Sequence, residues 1–130
     1  MTITTNTTYV QPAWSPAQQT CQIGLGANQA VTFNATSTYF NCELGSQFSV
    51  TLTASLTNFE VINPQPGQIV NIFIKQGPTG SFTVTTWDSF VWAAGTAPTL
   101  TTTTLHTDRI SAFWNDTLGK WVGTSLLDIS

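Results

Sequence analysis

Short runs in which apolar and polar residues alternate dominate this chain. Val31 and Phe33 alternate with Thr32 and Asn34, and Phe48, Val50 and Leu52 alternate with Ser49, Thr51 and Thr53. Ile110, Ala112 and Trp114 form a third such series. Successive side chains of a strand point to opposite faces, so a period of two predicts strands with one buried face. Ile69 to Ile74 reads IVNIFI, with only Asn71 interrupting, which predicts a central strand buried along most of its length. Phe59 and Val61 run into Pro64, Pro66 and Gly67, a strand followed by a turn. Gly77-Pro78-Thr79-Gly80 is a turn sequence, and Phe82, Val84 and Thr86 alternate after it. That arrangement predicts a hairpin with a four-residue loop between the strand at 69–74 and the one at 82–86. Phe90 to Trp92 extends the series, followed by an irregular GTAPTLTTTT segment, and Asn115 to Gly119 is a turn leading into a last strand over Trp121 to Leu127.

No amphipathic helix of useful length is present. Turn signals recur at roughly 8–12-residue spacing, which favours a sandwich or barrel over βαβ units. The expected fold is all-β: an antiparallel β-sandwich, jelly-roll-like, over residues 30–130. Residues 1–29 read differently. Pro12 and Pro16 bracket Trp14, and Gly24 and Gly26 follow. Proline removes a ladder donor and pushes its predecessor toward extended geometry, so an extended N-terminal arm is expected there. Its apolar residues Ile3, Tyr9, Val10 and Trp14 have no core of their own, so the arm is expected to order only against another subunit.

Composition sharpens the picture. Hydrophobic residues make up 41% of the 130 residues and charged residues only 7%, against roughly 25% in ordinary soluble domains. A chain of this length folds as one domain with a real core. Its polar surface is mostly Thr, Ser, Asn and Gln, and a surface poor in charge is weakly protected against association. The expectation is therefore coverage by copies or partners. The three cations, Lys75, Arg109 and Lys120, are scattered, and the formal net charge is −3. Nucleic-acid binding requires a clustered basic footprint, so no nucleic-acid partner is expected. No run of about 18 apolar residues offers a spanning helix, so no membrane role is expected. MTITTNTTYV lacks the cationic and apolar regions of a secretory signal, which points to assembly in the cytoplasm of the producing cell.

Candidate chemistry is sparse. Glu43, Glu60, Asp88, Asp108, Asp116 and Asp128 recur at no motif spacing. Asp108, at a strand entry, and Asp116, in the turn NDTLG, are expected to satisfy backbone donors. His106 has no nucleophile-elbow context, and Gly77 to Gly80 is too short for a phosphate loop. Cys21 and Cys42 are too few for a zinc site; they read as small buried hydrophobes or as a disulfide formed after lysis. Thus no catalytic, cofactor-binding or metal residue is assigned. The sequons at Asn6, Asn34 and Asn115 read as chance in an Asn/Thr-rich chain. Trp87, Trp92, Trp114 and Trp121 have two readings: a packed core or inter-subunit seam, or an exposed platform for sugars.

Residues 56–124 carry a set of ordered motifs. NPQPGQIVNIFIKQG has an Asn-Pro turn, a Gly-Gln entry and a strand ending in Lys-Gln. TGSFTVTTW and VWAAGTAPTLTTT supply a Gly turn, a Thr/Val strand, a Trp loop and a Gly-Thr-Ala-Pro-Thr-Leu segment. Asp108 precedes the penultimate strand, and KWVG closes the series. In this order the motifs resemble a β module of tailed-phage virion proteins, found in capsid decoration (cement), head-fibre and tail-fibre proteins. The resemblance implies a non-enzymatic virion protein, and trimers are common among such proteins. A short chain with an extended arm suits a decoration protein on the capsid surface, partnered by itself as a homotrimer and by the major capsid protein. The alternative is a receptor-binding tail-fibre or head-fibre tip that holds a host glycan.

Overall fold

The computed structural model describes residues 27–130, and there the chain is all-β. Nine strands follow in order: β1 (Gln29–Ala30), β2 (Ser37–Asn41), β3 (Gln47–Leu52), β4 (Leu56–Ile62), β5 (Ile69–Gln76), β6 (Val84–Asp88), β7 (Phe90–Trp92), β8 (Thr107–Asn115) and β9 (Lys120–Ile129). A single 3-10 turn, Ala93–Gly95, interrupts the series. The expected arm falls on residues that, up to residue 26, lie outside the described residues. Gln29, assigned to that arm, instead opens β1.

Alternation along each strand decides which face is buried. In β3, Phe48, Val50 and Leu52 are buried, and in β8, Asp108, Ile110 and Ala112. The series at 69–74 obeys the same rule. Val70, Ile72 and Ile74 turn inward, whereas Ile69 is 61% exposed, so β5 is buried on one face rather than most of its length.

The strands form two sheets. One has six strands in the order β1-β3-β5-β8-β9-β7, the other three in the order β2-β4-β6. Up to β6 the chain alternates between them, winding like a flattened coil: β1, β3 and β5 run parallel in the larger sheet, and β2, β4 and β6 run parallel in the smaller. Only β5–β8 and β8–β9 pair antiparallel, and β7 lies parallel to β9 at the far edge. The smaller sheet is thus wholly parallel and the larger one mixed, in place of the expected antiparallel pairing throughout.

The hairpin expected around residues 77–80 is also replaced, for a local reason. The turn forms, with the Gly80 amide donating to the Gly77 carbonyl at 3.1 Å. However, the Gly77 amide donates to the Leu52 carbonyl at the end of β3, and the Ser81 amide donates to Thr102. Gly80 sits at φ +72°, against the Thr102 carbonyl and the Thr104 side chain, where a Cβ would meet them within 2.8 Å. The Gln76 amide nitrogen donates to the Phe82 and Thr101 carbonyls, and its oxygen accepts from the Phe82 amide. These bonds steer the chain away from β5, whose two flanks are taken by β3 and β8, and into the other sheet.

One apolar cluster joins both inner faces: Phe40, Leu56, Phe59 and Val61 from the smaller sheet, and Phe48, Val50, Leu52, Val70, Ile72, Ile74, Ile110 and Trp121 from the larger. Phe40 and Phe48 meet edge to face across it at 5.8 Å. The Trp121 indole N–H, fully buried, donates to the Val61 carbonyl at 3.2 Å and ties β9 to β4. Each such aromatic contributes about 1.5–3 kcal/mol through burial alone.

Candidate binding surfaces

Aromatic side chains gather where β4, β6, β7 and β9 approach one another. Phe59 contacts Trp87 at 4.7 Å, Trp87 meets Trp92 edge-on at 5.3 Å, and Phe90 stacks on Trp92 at 5.2 Å and 12°. Phe90 continues the series to Trp121 at 6.5 Å, and Trp121 meets Trp114 at 5.3 Å. Trp92 lies over Gly123, its register partner on β9; a Cβ there would stand 2.6 Å from the ring. Trp121 is fully buried, and Trp87, Trp92 and Trp114 are partly buried against the core. They pack edge-on against one another and also contact Phe59 and Phe90, in line with the packing reading. Trp114 keeps a solvent-facing part, and its N–H reaches the Asp116 carboxylate at 3.4 Å.

The acidic residues divide by role. Asp108, 2% exposed, accepts from the Thr101 amide at 2.7 Å and from the Asp128 amide at 2.8 Å, the backbone-satisfying role its position suggested. Asp128 occupies the left-handed region at φ 60°, beside the irregularity in the β8–β9 ladder at Thr107/Arg109. Its carboxylate reaches His106 Nδ1 at 2.5 Å. This pair joins the 96–106 loop to the last strand, and nothing in the sequence spacing announced it. Among the described residues, no three His, Cys, Asp or Glu side chains gather as a metal site would require. Asn34 and Asn115 turn their side-chain oxygens onto nearby backbone amides, of Thr36 and Ser37 and of Leu118 respectively. Asn6 and Cys21 lie outside the described residues. Cys42 is buried, and burial pushes its thiol up to about 12.

The two outer faces differ in character. On the larger sheet, register places Ile69, Phe113 and Val122 in one row and Phe73, Arg109 and Leu126 in another. Ile69, Phe113 and Leu126 are 61%, 43% and 50% exposed. Between these rows, the Ser111 hydroxyl donates to the Asn71 side-chain oxygen at 2.6 Å. Lys75 projects from the same face of β5, two positions beyond Phe73. On the smaller sheet, Tyr39, Glu60 and Asp88 share one row. Sequence reasoning missed both groupings, because they depend on registers between strands distant in the chain. In comparisons with known proteins, no family model, curated protein or solved structure matches this chain.

Proposed function

We propose that this chain is a non-enzymatic structural protein of a tailed-phage virion, a decoration protein that binds the major capsid protein lattice and stabilises the head. The observation that carries the reading is the outer face of the larger sheet, where Ile69, Phe113 and Leu126 stand exposed on a chain with only 7% charged residues. Large apolar side chains exposed on one sheet face favour coverage by a partner. The resemblance of residues 56–124 to phage β modules supports the same role. In this reading the two sheets are the layers of a sandwich, and copies assemble as homotrimers that bridge neighbouring capsomers and add buried surface against internal pressure.

Antibody labelling of purified virions tests the proposal. Label distributed over the head supports it, whereas label confined to the tail tip overturns it. Trp114 favours a second reading, a fibre tip that holds a host glycan, because it is the tryptophan whose hydrogen-bonding N–H sits at an exposed turn. Saturable glycan binding that quenches tryptophan fluorescence and is lost in Trp114→Ala would favour that reading over decoration.

A further inference from the structure

Among the described residues, two side-chain atoms are buried without a hydrogen-bond partner: Nε of Arg109 and Oε1 of Glu60. One is a donor on a cation and the other an acceptor on an anion. They lie on different sheets, and each projects from the outer face. Arg109 stands between the buried Asp108 and Ile110 and shares a row with Phe73 and Leu126. Glu60 stands between the buried Phe59 and Val61 and shares a row with Tyr39 and Asp88. Both side chains are only partly buried, but a polar atom without water or a partner costs free energy, so each site favours a group of opposite charge beside it.

The neighbourhoods extend the complementarity. Lys75 and Arg109 lie one strand apart and one two-residue step along, about 8 Å by sheet spacing, giving a doubly positive patch. Glu60 and Asp88 are register partners on adjacent strands about 5 Å apart, giving a doubly negative one. Asp128, on the strand beside Arg109, is engaged by His106. Apolar surface accompanies both charges: Phe73 and Leu126 flank Arg109, and the Tyr39 ring, 53% exposed, flanks Glu60.

We infer that the outer face of the larger sheet binds the outer face of the smaller sheet on a second copy of this chain, with Arg109 and Lys75 set against Glu60 and Asp88. The contact is heterologous, each copy using two different faces, so it closes into a ring or continues as a stack according to the rotation per copy. Burial of Phe73, Leu126 and Tyr39 supplies attraction, and the charges fix the register and reject misaligned pairs. The inference concerns the purified chain and holds whether or not the protein sits on a virion.

Charge exchange tests it. The mass of the purified protein is followed by light scattering across a range of concentrations, at about 0.1 M and about 1 M ionic strength. The wild type is expected as multiples of the 14.0 kDa chain, weakened at high salt. Arg109→Glu and Glu60→Arg are each expected to give monomer, with a loss in association of tenfold or more, and the double exchange to restore assembly. The milder Arg109→Gln and Glu60→Gln serve if either reversal does not fold, with circular dichroism as the check; each is then expected to weaken assembly. A monomeric wild type, single variants that associate unchanged, or a double exchange that stays monomeric would each overturn the inference, leaving the apolar face to another partner.

Discussion

Asp108 is a buried carboxylate on which three segments converge: β8 carries it, the 96–106 loop donates through Thr101, and β9 donates through Asp128. Two charge-assisted bonds in a dry site, each about 1.5–3 kcal/mol, leave two orphan amides when the acceptor is removed. Asp108→Ala is therefore expected to lower stability by about 3 kcal/mol in urea unfolding; a loss below about 1 kcal/mol would show that water replaces the carboxylate. Cys42 gives a different handle. Burial raises its thiol from 9.0 to about 12, so the folded chain keeps a proton that the unfolded chain releases. The stability this contributes is fully present below pH about 9 and is lost as pH climbs from there toward 12. Since thiolate is the nucleophile, native Cys42 is expected to resist iodoacetamide near neutral pH and to react readily in urea, as read by peptide mass spectrometry. Equal rates in both states would contradict a buried thiol.

At the scale of elements, β7 is only three residues long, and it pairs with β9 over three positions, with Trp92 lying over Gly123. A side chain at 123 would push into the ring, and displacing a packed aromatic costs roughly 1–3 kcal/mol. Gly123→Ala is expected to lower the urea midpoint and shift the near-ultraviolet circular dichroism, which reports the Phe90–Trp92 stack; an unchanged spectrum would mean that the ring has room to slide. The elements themselves were mostly legible. Phe48, Val50 and Leu52 and then Ile110 and Ala112 announce β3 and β8 through period two, because one face of each is buried. In β2, STYFN, only Thr38 and Phe40 turn inward, too short a signal to stand out. Pairing direction was not legible, since parallel and antiparallel strands share the same side-chain period. Nor was the course of the chain after Gly80, which Gln76 decides through loops far along the sequence. The role of Asp108 was readable from its place before a strand, whereas the Glu60–Asp88 and Lys75–Arg109 groupings exist only once the registers are set.

Over the whole molecule, successive turns of the coil bring together residues remote in sequence, as in Gln47 with Asn71 and Leu56 with Val84. Loop closure must precede the contacts that reward it, so refolding is expected in the millisecond-to-second range of β-rich domains; a microsecond phase carrying most of the tryptophan signal in rapid mixing would refute this. The order of the larger sheet adds a constraint of timing. β8 and β9 are inserted between β5 and β7, which precede them in the chain. As the polypeptide leaves the ribosome, β5 and β7 therefore emerge with a gap between them. Strand β5 has an uncovered flank, and β7 has no partner at all until Trp121 to Gly123 arrive. At typical synthesis rates that interval lasts on the order of seconds. A chain stalled before Thr107 therefore exposes the unpaired flank of β5, a row of free backbone N–H and C=O groups, to whatever holdase or neighbouring nascent chain meets it first.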